Sequence, residues 1–149
     1  MPSLKLRFDQ YNRPLVSVEV KPSVLLHQQY QAHPPNIVPS SVVNFLIDTA
    51  AGECVIEEDV IQAWRLVKNV PVLVNSGAGP QVQAFKYPLS LRLTESGQQD
   101  SWYHKTWLVS TVPAGHFCGF AKGLIGMDIL HSGKINYDGP AGLCVLSWT

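Results

Sequence analysis

Apolar and polar residues alternate with a period of two along most of the chain, and that period predicts strands. Leu4, Leu6 and Phe8 alternate with Lys5 and Arg7; after a polar turn at 9–13, Val16, Val18 and Val20 alternate with Ser17 and Glu19. The two runs predict an amino-terminal hairpin. Residues 22–39 hold four prolines and two histidines and read as an irregular connection. Residues 57–66 place acids first, Arg65 near the end, and Val60, Ile61, Trp64 and Leu66 on one side, which predicts a short helix. Further strands follow at 71–74 and 82–93, where Leu89, Leu91 and Leu93 alternate with Ser90 and Arg92. After a polar turn at 94–101, residues 102–112 read as an aromatic-rich strand. Gly-Leu-Ile-Gly-Met-Asp-Ile-Leu-His at 123–131 predicts a buried turn and short helix, stopped by Gly133. A last hairpin spans 135–148, turning at Asp-Gly-Pro-Ala-Gly. Short strands separated by turn signals indicate an all-β sandwich or barrel with one or two short helices, a single domain over 1–149.

Composition narrows the classes. At 149 residues with 46% hydrophobic content, one domain can bury a sizeable core. A formal net charge of zero argues against a nucleic-acid or anionic-membrane surface, which needs clustered Lys and Arg. No apolar stretch approaches the roughly 20 residues of a membrane span, and the opening Met-Pro-Ser-Leu-Lys-Leu-Arg-Phe lacks the continuous core of a signal peptide. Three cysteines, Cys54, Cys118 and Cys144, have no metal-site spacing, so a reduced, cytoplasmic setting without metal or cofactor is expected. Cys118 near His116 offers too few ligands for zinc. Neither a Gly-x-Ser-x-Gly turn nor a phosphate-cradling loop occurs.

Residues 45–56, Phe-Leu-Ile-Asp-Thr-Ala-Ala-Gly-Glu-Cys-Val-Ile, concentrate the candidate chemistry. An apolar run delivers Asp48 into a turn of Thr and small residues, and a second apolar run follows. A carboxylate at the end of a buried strand is costly unless hydrogen bonds or a partner compensate it. Such an acid is either functional or the cap of a turn or helix, and these residues alone leave both readings open.

Three segments, in order, resemble the retropepsins, the single-domain aspartic proteases of retroviruses and their bacterial and cellular relatives. That family carries an apolar run, Asp-Ser/Thr-Gly-Ala and an apolar pair; Asp48, Thr49 and Ala51 match it, with Val55 and Ile56 as the pair. It has a glycine-rich flap hairpin downstream, matched by Gly77, Ala78 and Gly79 within 75–80, between 71–74 and 82–93. It closes with two apolar residues and a glycine before Asp-x-Leu, matched by Leu124, Ile125 and Gly126 with Asp128 and Leu130. The resemblance spans 42–148.

It implies a closed, sandwich-like acid-protease barrel with one half-site per chain. Aspartic proteolysis uses two facing carboxylates that share a proton, one activating water while the other protonates the scissile carbonyl. This chain has one such loop, since Asp59, Asp100 and Asp138 read as solvated or turn residues. A homodimer would set Asp48 opposite its symmetry mate. Thr49 would hydrogen-bond across to the partner's loop, Ala51 would offer small bulk beside substrate, and Ile125 and Gly126 would pack beneath the catalytic turn. An extended peptide with hydrophobic residues at the scissile bond would be the substrate, with Val74, Val82, Phe45 and Ile125 as candidate lining residues.

Two departures from the family pattern stand out. Ala50 replaces the usual third glycine, at a cost on the order of 1 kcal/mol if that backbone needs positive φ. Gly52 and Met127 stand where viral enzymes often pair an acid with an arginine. The alternative reading is a catalytically weak or inactive dimerisation or peptide-binding module of the same fold. The hairpin over 135–148 and the strand over 4–8 are candidates for a dimer sheet.

Overall fold

A computed structural model describes residues 1–23, 39–64, 66, 71–74 and 82–149, with the backbone alone at 71–74, 82–83 and 106–107. The strands are β1 (Ser3–Lys5), β2 (Arg7–Phe8), β3 (Pro14–Pro22), β4 (Ser41–Ile47), β5 (Val55–Glu57), β6 (Pro71–Val74), β7 (Val82–Thr94), β8 (Trp102–Val112), β9 (Gly123–Ile125), β10 (Lys134–Asp138) and β11 (Leu143–Ser147). Two single-turn helices, α1 (Asp59–Gln62) and α2 (Met127–Leu130), interrupt them. The all-β expectation with short helices holds.

The barrel closes through β7. Its neighbours run β3-β4-β9-β5-β8-β7, and β7 returns to pair with β3, so six strands form a ring. The period-two runs explain the closure. Val16, Val18 and Val20 on β3 and Leu89, Leu91 and Leu93 on β7 are all fully buried, and Val18 faces Leu93 while Val20 faces Leu91. Alternation puts each set on one strand face, and only a closed ring gives both sets an interior. Pro88, which has no N–H for the ladder, sits at the register shift between Tyr87 and Leu89 where β7 meets β8.

The amino-terminal hairpin is realised only in part. Arg7 and Phe8 pair with Leu15 and Pro14, but Ser3–Lys5 leaves for a second sheet of order β1-β11-β10. Leu4 and Leu6 are still buried, at 0% and 4% exposure, because both sheets cover the same core. Period two reports which side chains are buried, not which strand they pair with. The predicted terminal hairpin forms, Lys134 opposite Ser147 through Asp138 opposite Leu143. The two candidates for a dimer sheet are therefore joined within one chain. The outer edge of β1 is covered by the β7–β8 turn: Ser3 N donates to Asp100, Lys5 N to Gln98, and Gln98 donates back to Lys5 O. Residues 24–38, which include His27 and His33, lie outside the described residues.

The turn at 9–13 is built on Asp9. Its carboxylate accepts the Tyr11 and Arg13 amides at 2.8 and 3.0 Å and the Arg13 Nε at 2.7 Å. Burial pushes the Asp9 pKa up, but those hydrogen bonds and the Arg13 charge outweigh it, and the net shift is below the ordinary 3.8. A depressed folded pKa contributes stability that is present above the unfolded value and lost as pH falls through the folded one. Asp9→Asn is therefore expected to lower the thermal midpoint at neutral pH. The gap from wild type should stay constant down to the ordinary 3.8 and close below it. A gap that closes above that value contradicts this role.

Candidate active site

Two strands and a wedge position Asp48. β4 ends at Ile47 and runs parallel to β9, with Phe45 opposite Gly123 and Ile47 opposite Ile125. β9 is also antiparallel to β5, with Val55 opposite Leu124. The loop at 48–54 therefore leaves one side of β9, wraps its end and returns on the other side. Only glycine admits such a wedge: a Cβ at Gly123 would lie 2.5 Å from the Phe45 ring and 2.6 Å from Val55 O.

The loop rests on the backbone of the segment beneath it. Asp48 N donates to Ile125 O at 3.0 Å, Met127 N to Ala51 O at 2.7 Å, and Asp128 N to Gly52 O at 3.1 Å. A Cβ on Gly126 would come within 2.6 Å of Glu53 C and O and 2.9 Å of Ala51 O. Gly126 thus lies directly under the loop, and Ile125 supplies the carbonyl that fixes Asp48. The requirement at Gly126 is close approach, since its φ is −98°.

Asp48 is half-buried, and Thr49 and Ala50 are exposed beside it. Among the described residues one donor reaches the Asp48 carboxylate, the Ala50 amide at 2.9 Å to Oδ1. That bond and Ala51 N to Asp48 O at 3.2 Å close a tight turn on the acid itself. Oδ2 is left for water or an incoming group. Among the described residues, the non-glycine ones with positive φ are Asn12 and Cys118, so Ala50 sits in an ordinary conformation and its methyl carries no backbone strain.

Gly52 and Met127, the positions of the missing acid–arginine pair, each take a main-chain bond instead, Gly52 O from Asp128 N and Met127 N to Ala51 O. Glu53 and Lys86 add an ion pair at 3.1 Å between the loop and β7. The hairpin expected as a flap is present in its arms, with Val72 opposite Ala84 and Val74 opposite Val82. Gly77, Ala78 and Gly79 lie outside the described residues, as do the side chains of Val74 and Val82.

Two expected lining residues are corrected. Phe45 and Ile125 are both at 0% exposure, so they belong to the core. Alternation along β4 turns Phe45 inward against Gly123, and Ile125 is enclosed between its neighbouring strands. A cavity of about 370 Å³ does exist, lined by Glu58, Ile61, Gln62, Leu66, Phe85, Tyr87 and Thr111, but Asp48 is not on its wall. Burial first, then Glu58, pushes the Tyr87 phenol pKa up.

Three contributors were missed in the sequence. Glu57, expected to open a helix, is 1% exposed and accepts Gly115 N at 2.8 Å and Phe117 N at 3.0 Å, with Lys122 Nζ at 3.3 Å. The carboxylates of Asp59 first and then Glu57 hold the Lys122 pKa above its ordinary value. Asp128, matched above only as a motif residue, and Cys54 are the other two: Cys54 is buried and donates its thiol to the Asp128 carboxylate. The available signal was the Glu pair at 57–58 where a strand ends, since alternation along a strand turns one of two adjacent side chains inward. Glu57→Gln replaces one acceptor oxygen with a donor, and is expected to cost about 1–3 kcal/mol and to speed amide exchange at Gly115 and Phe117. Denaturant unfolding with exchange by NMR checks this, and unchanged exchange contradicts it.

No family model matches this chain, and no curated protein does. Among solved structures it is similar to the crystal structure of a retropepsin-like aspartic protease from Rickettsia conorii, with a TM-score of 0.56 at 13% identity. The match covers 98% of this chain and 90% of that one. At that identity the likeness establishes a shared fold, a retropepsin-like barrel.

Proposed function

We propose that this chain is an aspartic endopeptidase that acts as a homodimer, one Asp48 from each subunit activating the attacking water. The observation that carries the reading is the half-buried Asp48 held at the end of a closed loop, with one carboxylate oxygen bonded to Ala50 N–H and the other left open. The remaining nearby acids are committed elsewhere, Glu53 to Lys86, Glu57 to the 115–117 amides and Asp128 to Cys54. In this reading the second carboxylate comes from another copy, and the exposure of Thr49 and Ala50 supports it by leaving them accessible to a partner loop.

In the assembled pair, two identical acids share one proton. The ionised one takes a proton from water as it attacks, and the protonated one donates to the carbonyl oxygen of the scissile bond. The tetrahedral intermediate then collapses with proton transfer to the leaving amine. An extended peptide would lie across the paired loops under the β6–β7 hairpins, its backbone bonding to them and alternate side chains entering pockets. No helix among the described residues is long and apolar enough to cross a membrane. All three cysteines are unpaired, which suits a reducing, cytoplasmic setting.

Incubation of the purified protein with an unfolded substrate at mildly acidic pH tests the reading, alongside sedimentation to measure mass. Cleavage by a dimer is the expected result. A strict monomer at high concentration overturns the shared site. A dimer that binds unfolded chains without cutting them supports the binding-module alternative.

A further inference from the structure

Cys54 and Asp128 take no part in the chemistry of the scheme above, yet they form a closely knit polar cluster against the Asp48 loop. The Asp128 carboxylate accepts three bonds: Cys54 N at 3.0 Å on Oδ2, and the Cys54 thiol at 3.0 Å and Ile129 N at 2.9 Å on Oδ1. The Cys54 sulfur in turn accepts the Gly126 amide at 3.3 Å. It is therefore both acceptor and donor in a relay from Gly126 N–H through sulfur to Asp128. The thiol is 1% exposed, and burial first, then Asp128, pushes its pKa up, so it keeps the proton that it donates.

The partners of this relay matter more than its strength. Gly126 and Asp128 flank Met127, and the same stretch holds Ala51 O, Gly52 O and, one residue earlier, Asp48 N. The loop is thus pinned at its start by Ile125, in its middle by Met127 and Asp128, and at its end by Cys54. Losing the two sulfur bonds loosens the tie between the loop's end and the segment that carries the other pins.

We propose that Cys54 and Asp128 are a pair of positioning residues, whose thiol–carboxylate bond fixes the catalytic loop over 125–128 and so sets the pose of the Asp48 carboxyl. This rests on the proteolytic reading. Neither side chain touches the reacting atoms; both act through the loop backbone. Catalysis tolerates little error there, because misplacing a reacting group by about 1 Å costs on the order of 100-fold in rate.

Threonine and valine have the same shape, but only threonine can replace the sulfur as both donor and acceptor. Cys54→Thr and Cys54→Val in the full chain thus share any packing cost and differ in the hydrogen bonds. Cys54→Val is expected to lower kcat about tenfold or more with KM within about twofold, and Cys54→Thr to stay within about threefold of wild type in kcat. Amide exchange at Met127 and Asp128 should accelerate about tenfold in the valine variant alone. Equal kcat in the two variants overturns the proposal, as does a valine variant with loosened amides and undiminished kcat. Should the valine variant not fold, Cys54→Ala takes its place: it removes both sulfur hydrogen bonds without added bulk, and a wild-type kcat there overturns the pair. If the wild type cuts no substrate, the proteolytic reading has failed on its own, and exchange still decides the clamp: faster Met127 and Asp128 exchange in Cys54→Val supports it, unchanged exchange overturns it.

Discussion

Asp48→Asn is expected to reduce peptide cleavage by about a thousandfold or more while leaving the fold unchanged. Asparagine has the same shape and its Oδ1 still accepts the Ala50 amide, so the turn at 48–51 survives. What disappears is the carboxylate that takes the proton from water. Because the proposed site is shared, the variant should also poison wild type. Equal amounts of the two chains, allowed to exchange, pair at random, and about one quarter of the pairs then carry both acids. Activity per total protein should fall to about one quarter of pure wild type, whereas chains acting alone would give about one half. A titration series by initial rate distinguishes the two curves, and the half-value line would contradict a shared site.

Gly126→Ala is the second large effect. The added Cβ would meet Glu53 C and O at 2.6 Å and Ala51 O at 2.9 Å, all of them backbone atoms without a rotamer to yield. The loop or β9 must move, at a cost of about 1–3 kcal/mol by the usual penalty for overpacking. Since the displaced backbone is that of the Asp48 loop, kcat should fall at least about tenfold as well. Gly52→Ala is the matched control on the same loop: nothing lies within 4 Å of its Cβ position. It should stay within about 0.5 kcal/mol of wild type, as exposed substitutions do. Denaturant unfolding and steady-state kinetics on both variants check this. A Gly126→Ala protein as stable and active as Gly52→Ala would contradict the packing account.

The strands were legible where burial alone decides them. Val16, Val18 and Val20 and Leu89, Leu91 and Leu93 announce their strands because alternation and a one-sided core coincide. The Asp48 loop was legible for a similar reason: an acid and small residues between apolar runs have few folded solutions, and Gly126 marks where backbone meets backbone. The departure of β1 to another sheet was not legible, since Leu4 is buried in either pairing. Phe45 and Ile125 were placed in a cleft because apolar residues near a reactive acid suit both a pocket and a core, and only the register of β4 against β9 decides. Glu57 and the Cys54–Asp128 bond depend on contacts 58 and 74 residues apart in sequence, beyond any local period. Ala50 looked strained by comparison with glycine, but its backbone conformation shows that the turn asks for no positive φ.

The central claim is that two copies bring their Asp48 side chains to one water. A crystal structure of the assembled protein at mildly acidic pH measures this directly through the separation of the two carboxyls. The account predicts oxygens about 3 Å apart across a two-fold axis, with a water bound to both. A pair whose Asp48 side chains lie on separate faces, too distant to share a proton, would contradict it.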